Sequence, residues 1–381
     1  QLRGEYLFVA EGKQGFRVYD VAGIANKGIS QRIITAPFSA AGQDTHIASA
    51  NATCMALPTN QNIAPVRNQG SLMRDENLEQ PFHPLYNYAF VTDAKEGLIL
   101  VDVNTLTDGD PRNNKLQRAV TWNPDGVLEG ARHISVGGYY LYIMADRGLV
   151  VVSVDEPRTP QLVAEVPLSA PRASMLQFRY LFVTDSDGLK TIDVTDPTSP
   201  RLVPGNTIPM ANANKVFLAR TFAYVAAGDE GLVIVDAERP EQLREVIRFD
   251  AGGLLRDAQD VVVASTNASL FAYVADGVGG LKVLQLTSPE SQPKFYGFSP
   301  EPKPELIASY QTAEPALSLS RGLERDRGVD ETGGQIAVFG RRGSRPLNLE
   351  EMQRLYLDEN GQPWFVDEKE KQALAGAPRE K

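Results

Sequence analysis

One hairpin-like phrase recurs six times along this chain, and that repetition constrains the fold more than any other feature. The copies read YLFVAEGKQGFRVYDV from Tyr6, YAFVTDAKEGLILVDV from Tyr88, YLYIMADRGLVVVSV from Tyr140, YLFVTDSDGLKTIDV from Tyr180, FAYVAAGDEGLVIVDA from Phe222 and FAYVADGVGGLKVLQL from Phe271. Their turn glycines are Gly15, Gly97, Gly148, Gly188, Gly231 and Gly280, in steps of 82, 51, 40, 43 and 49 residues. A period in the forties, built of strands and turns, is the mark of a stacked or radial repeat.

Aromatic and β-branched residues on either side of an Asp/Gly turn predict a β-hairpin in each copy. The second strand, as in GLVIVD at Gly231–Asp236, is apolar at consecutive positions and not at alternate ones. Such a strand is buried on both faces. Antiparallel sheets stacked face to face around an axis supply that environment, which predicts an all-β fold, a β-propeller. Inner strands are expected upstream of the hairpins, in ARHISVGG, APRASMLQ, ANKVFLA and DAQDVVVAS, and outer strands downstream, in RLVPGNTIPM, LREVIRF and ELIASYQTAEP. Four strands per unit is the blade of a propeller.

The 82-residue step reads as one blade interrupted by a long insertion, about residues 59–87, with its inner strand inside DTHIASANATCMALP, Asp44–Pro58. The first blade opens at its second strand, and ALSLSRG, Ala316–Gly322, is the segment expected to pair with it and close the ring; GGQIAVFG, Gly333–Gly340, is a further candidate strand. The expectation is six four-stranded blades over residues 1–340, with seven as the alternative. A C-terminal extension over 341–381 follows, with a short helix, Leu347–Tyr356, and a charged tail.

A net charge of -10 advertises no face for a phosphate backbone, so nucleic acid is not an expected partner. The single cysteine, Cys54, excludes an internal disulfide, a cysteine zinc site and a c-type haem attachment, and no cofactor is expected. No apolar stretch reaches the roughly 18 residues of a membrane span. No charged-then-apolar leader is present, although the chain opens already inside a strand.

The phrase GLVIVD, with YVAAGDE before it and a Pro turn after, resembles the LVIVD-repeat family. The resemblance runs from about Tyr6 to Leu286 and departs where Ser153 and Gln285 replace the aspartate seen at Asp20, Asp102, Asp193 and Asp236. It implies a β-propeller, a location outside the cytoplasm (periplasm or cell surface) and a scaffold role, with no catalytic residue to carry over.

Candidate chemistry is sparse. The repeated aspartates sit where a carboxylate accepts local backbone N–H groups, and the acids near the hairpin turns, Glu11, Asp93, Asp146, Asp185 and Asp276, read as solvated turns. TDSDG, Thr184–Gly188, lacks the spaced oxygen ligands of a calcium loop. Aligned at the starts of the inner strands are His46, His133, Arg172, Lys215 and Asp260, a set that would suit an anionic ligand or one metal at a channel mouth, against the plainer reading of a hydrated rim. No G-x-S-x-G occurs, and Cys54 reads as a small buried hydrophobe. Apolar residues outside the repeats, Phe82, Leu85 and Tyr86 in the insertion and Met352, Leu355, Tyr356, Trp364 and Phe365 in the extension, are candidates for docking a partner.

The leading expectation is a non-enzymatic scaffold that binds another protein through the insertion and the extension, in one version as an accessory subunit of an assembly carrying multihaem cytochromes. The alternative is a propeller hydrolase or lactonase with a metal or an anion in the channel.

Overall fold

A computed structural model describes residues 1–3, 6–20, 34–35, 44–59, 63, 65, 69–107, 114–265, 269–293, 299–321, 341–342 and 345–346. All six hairpins form, and each anchors an antiparallel sheet. Blade one holds β1 (Leu2–Arg3), β2 (Tyr6–Ala10), β3 (Phe16–Asp20) and β4 (Ile34–Thr35), with β5 (His46–Ile47) also on β3. Blade two holds β6 (Ala52–Ala56), β7 (Tyr88–Asp93), β8 (Gly97–Asp102) and β9 (Gln117–Trp122). Blade three is β10 (His133–Gly137), β11 (Tyr140–Ala145), β12 (Gly148–Ser153) and β13 (Gln161–Val166). Blade four is β14 (Ala173–Gln177), β15 (Tyr180–Asp185), β16 (Gly188–Asp193) and an outer strand split into β17 (Arg201–Leu202) and β18 (Ile208–Pro209). Blade five is β19 (Lys215–Ala219), β20 (Phe222–Ala226), β21 (Leu232–Asp236) and β22 (Arg244–Phe249). Blade six is β23 (Asp260–Ser265), β24 (Leu270–Ala275), β25 (Leu281–Thr287) and β26 (Glu305–Tyr310). The fold class is therefore all-β, a six-bladed β-propeller.

Two compact units contain these blades. One holds residues 1–126 and 153–160, with blades one and two; the other holds 127–152 and 161–321, with blades three to six apart from Ser153. In the first unit Tyr6, Phe8, Phe16 and Val18 of blade one pack on Ala89, Val91, Ile99 and Val101 of blade two. In the second, blades three and four share Tyr142, Met144, Leu181 and Val183, and blade five adds a layer on each side.

β21 shows why its sequence is apolar throughout. Val233 and Val235 point toward blade four, while Leu232 and Ile234 point toward blade six. All four are fully buried, and each stabilises the stack by about 1.5–3 kcal/mol relative to exposure. The hairpin turns need glycine for space as well as for conformation. Gly188 has φ +131°, and a Cβ there would lie 2.0 Å from the Ile208 carbonyl oxygen on the neighbouring outer strand.

Both ends of the repeat array depart from expectation. Leu2–Arg3 already supplies blade one with an innermost strand, Arg3 opposite Tyr6. Ala316–Arg321 forms no regular strand; Ala316 instead bridges Gly277 of blade six. Gly333–Gly340 and the helix expected over Leu347–Tyr356 lie outside the described residues, while Arg341–Arg342 pairs with Arg345–Pro346.

Candidate functional site

The inner strands of blades three to six, β10, β14, β19 and β23, carry a polar row. His133, Lys215 and Asp260 open three of these strands at the same level, each opposite a buried residue near the end of the next strand: Met144, Ala226 and Ala275. On β14 that level belongs to Ala173, opposite Thr184. Arg172 sits one residue earlier, its N–H donating to the Thr184 carbonyl at 2.7 Å, in the place of Arg132 and Asn214 on the neighbouring blades. Sequence alignment was thus one residue out of register at Arg172. His46 departs further. It lies on β5, paired with Arg17 on the outer side of blade one, and its Nε2 is 2.6 Å from the Gln14 carbonyl oxygen. The inner strand of blade two begins only at Ala52. Three of the five aligned residues therefore share a level.

Those three are engaged. His133 is buried, and burial pushes its imidazole well below the usual range, with the nearby Lys215 charge acting in the same direction. Its Nδ1 accepts the Ser174 N–H at 3.1 Å, which fixes the neutral tautomer with hydrogen on Nε2. Ser174 Oγ in turn lies 2.9 Å from Ser135 Oγ across the blade boundary. Arg172 Nη1 donates to Asn214 Oδ1 at 3.0 Å, and Asn214 Nδ2 donates to the Ala258 carbonyl at 2.9 Å. Asp260 is buried and its carboxylate is shared three ways. Oδ1 accepts the Val261 N–H at 2.7 Å, and Oδ2 accepts the Leu319 N–H at 2.9 Å and the Ser318 hydroxyl at 3.1 Å. The row acts as a hydrogen-bonded lock between successive blades. Among the described residues no group of three or more His, Cys, Asp or Glu converges as metal ligands would.

The motif aspartates close local turns. Asp102, Asp193 and Asp236 accept the N–H two residues ahead, from Asn104, Thr195 and Glu238 at 2.9–3.0 Å. Ser153 takes the same place in blade three, toward Asp155. Of the hairpin-turn acids, Asp93, Asp185 and Asp276 are buried and not solvated, which corrects the sequence reading. Asp93 accepts the N–H groups of Asn51, Lys95 and Glu96, and these hold its carboxyl below the usual range although burial opposes them. Lys190, itself buried, donates to Asp185 and Asp187 at 2.6 Å each; burial disfavours its charge, but the two carboxylates outweigh that and raise the amine.

The insertion has a seated base and an open tip. Leu85 is a core residue, not an exposed anchor, and Phe82 and Tyr86 are half-buried. Burial of Leu85 follows from the 3-10 turn Pro84–Asn87, whose leading residue His83 caps it by accepting the Leu85 N–H at Nδ1. His83 Nε2 also lies 3.4 Å from Asp155 Oδ1. Leu72, the first residue of a single π-helical turn, Leu72–Glu76, and Leu78, two residues past its end, are exposed instead. Met352, Leu355, Tyr356, Trp364 and Phe365 lie outside the described residues. Sequence reasoning also passed over Phe178, 93% exposed at φ 52° between β14 and β15, and Tyr139 at the matching turn of blade three. An aromatic residue at a two-residue turn is the signal that could have found both.

The LVIVD repeat profile matches residues 86–108, 130–167, 179–205, 211–250 and 255–297. No curated protein matches the sequence. Among solved structures, the periplasmic gluconolactonase of Pseudomonas aeruginosa is similar at 13% identity and a TM-score of 0.50, over 81% of this chain and 83% of that one. The β-propeller domain of Cps50 (Swd1) from Myceliophteria thermophila is similar at 13% identity and a TM-score of 0.47, over 82% and 86%. The extracellular domain of BT4673 from B. thetaiotaomicron is similar at 13% identity and a TM-score of 0.38; this chain covers 26% of that one, with 59% of its own length. At these identities the likeness is one of fold. No helix among the described residues is long and apolar enough to cross a membrane.

Proposed function

We propose that this chain, built on LVIVD repeats, is a non-catalytic propeller scaffold that works outside the cytoplasm and binds another protein through its insertion and its C-terminal extension. The observation that carries this reading is the insertion. Leu85 and the His83–Asp155 contact fix its base, while Leu72 and Leu78 stand in solvent at its tip, Leu78 at 75% exposure. Exposed apolar side chains on a fixed, non-repeating segment are what a docking surface requires. The polar row favours the same side of the choice. A hydrolase or lactonase would draw on His133, Lys215 and Asp260, and Asp260 and the His133 Nδ1 are spent on holding neighbouring strands.

In the finer version the partner belongs to an extracytoplasmic assembly such as a multihaem cytochrome complex, and the complex would then carry a haem spectrum that the isolated chain lacks. The test is capture of partners from a native extract with the full chain and with Leu72→Ser/Leu78→Ser. A stoichiometric partner held by the former and lost by the latter supports the scaffold. Equal capture by both refutes the role of the insertion.

A further inference from the structure

Asp260 holds a segment of a different kind from the one His133 holds. His133 Nδ1 accepts the Ser174 N–H at 3.1 Å, and Ser174 is buried within β14, which β15 pairs along its whole length. Asp260 Oδ2 accepts the Leu319 N–H at 2.9 Å and the Ser318 hydroxyl at 3.1 Å. The approach is the same in form: Ala316 bridges Gly277 two residues ahead of Ser318, as Ala258 bridges Gly228 two residues ahead of Asp260. Yet Ala316–Arg321 belongs to no strand, and Leu317, Ser318, Ser320 and Arg321 are exposed.

This strap crosses two blades. Ser318 and Leu319 rest on Asp260 at the start of β23, and the Arg321 guanidinium lies 4.6 Å from the Phe217 ring centroid on β19. The groups beneath are buried, Asp260 at 3% and Phe217 at 7% exposure. A buried carboxylate needs donors upon it, and an aromatic face draws a cation. Together the two positions suit an extended chain that brings a hydroxyl and an N–H first and a guanidinium shortly after. Beside the Gly277 bridge two apolar side chains stay open, Val278 at 71% and Tyr310 at 69% exposure, joined through the Gln311 amide on the Val278 carbonyl at 2.8 Å.

We propose that the track from Asp260 to Phe217 is a peptide-binding site for an extended segment of another protein, with a serine or threonine and an arginine three residues later. Ser318–Arg321 is the chain's own occupant of that site, and the incoming segment displaces it. The strap itself shows the chemistry the track accepts, and its exposure shows how lightly it is held. A second copy brings only the same segment, which loses to a tethered one at an effective concentration of millimolar order. A foreign segment gains by running on over Val278 and Tyr310, which the strap leaves bare. This site stands apart from the insertion and does not rest on its role.

The probe is a labelled peptide of residues 317–322, LSLSRG, added to the full chain and to full-length Leu319→Pro/Arg321→Ala, whose strap lacks the N–H and the guanidinium. Saturable one-to-one binding to the variant is expected, about tenfold or more tighter than to the unaltered chain, where the tethered strap competes. Adding Asp260→Asn to the variant should weaken binding about fivefold, and arginine-to-glutamine in the peptide about threefold. Leu72→Ser/Leu78→Ser in the same background should bind the peptide as before. In the unaltered chain, millimolar peptide should speed hydrogen exchange at Leu319 while β23 and β24 stay protected, a readout that needs no variant. No saturable binding to the loosened chain, binding indifferent to Asp260→Asn, or an unchanged Leu319 rate overturns the proposal. So does a loosened chain that ignores the peptide and doubles in mass with concentration, which would assign the track to a second copy.

Discussion

Removing the carboxylate of Asp260 tests the lock between blade six and the segment after it. Asp260→Ala deletes the acceptor of the Leu319 N–H at 2.9 Å and the Ser318 hydroxyl at 3.1 Å, inside a site where the side chain is 3% exposed. Hydrogen bonds to a charged group contribute about 1.5–3 kcal/mol each, and part of that is returned because the carboxylate no longer has to be desolvated. A net loss of about 3 kcal/mol in holding Ser318–Arg321 follows, which is roughly a hundredfold in local opening. The Ala316 bridge to Gly277, two backbone bonds of 2.8 and 3.0 Å, survives, so the release starts beyond it. Arg321, whose guanidinium stacks on the Phe217 ring at 4.6 Å, is released with the segment. The assay is native-state hydrogen exchange at Leu319 with timed trypsin cleavage after Arg321. Both should accelerate on the order of a hundredfold while amides of β24 and β25 stay protected. Asp260→Asn, which keeps one acceptor oxygen, should fall between the two. An unchanged rate at Leu319 in Asp260→Ala would refute the lock.

Three further outcomes are expected. Gly188→Ala should cost more than about 3 kcal/mol in urea unfolding, because strained backbone adds to a 2.0 Å approach to the Ile208 oxygen; Gly205→Ala, at φ +66° with open space around it, should cost only about 1 kcal/mol. His133 binds its proton less readily folded than unfolded, so the contribution of its site to stability is full above the unfolded value of about 6.5 and is lost as pH falls below it, at up to about 1.4 kcal/mol per pH unit; His133→Gln should flatten that part of the stability–pH curve. Phe178→Gly should leave thermal stability unchanged or raise it, since glycine relieves a left-handed residue at a turn where the ring touches solvent; a loss above about 1 kcal/mol would show that Phe178 packs in the fold.

The hairpins were legible because each couples two strong local signals, a turn glycine and a run apolar on both faces, and neither depends on distant contacts. What failed was assignment between neighbours. DTHIASANATC holds two short strands in succession, β5 and β6, and periodicity cannot tell that the first pairs back to β3 while the second pairs forward to β7; His46 was carried to the wrong blade for that reason. Arg172 slipped by one because APRASM and ARHISV align by eye at a level the backbone bonds shift by one residue, and one residue changes which face a strand side chain takes. Leu85 looked like a free anchor because nothing in its flanks reveals that the 3-10 turn folds it inward, whereas Leu72 and Leu78 are exposed by a turn that no pattern announces. Asp260 was found by alignment, but its partners lie 58 and 59 residues away at Ser318 and Leu319, a separation that local sequence does not encode.

The most direct measurement of the scaffold reading is gentle purification of the full chain from its native source, followed by native mass spectrometry and a haem and metal assay of everything that co-elutes. The account predicts a stoichiometric protein partner, released by Leu72→Ser/Leu78→Ser or by deletion of residues 347–381. A chain that elutes alone with one equivalent of bound metal, lost on His133→Ala, would contradict it and return the polar row of His133, Lys215 and Asp260 to the centre of the function.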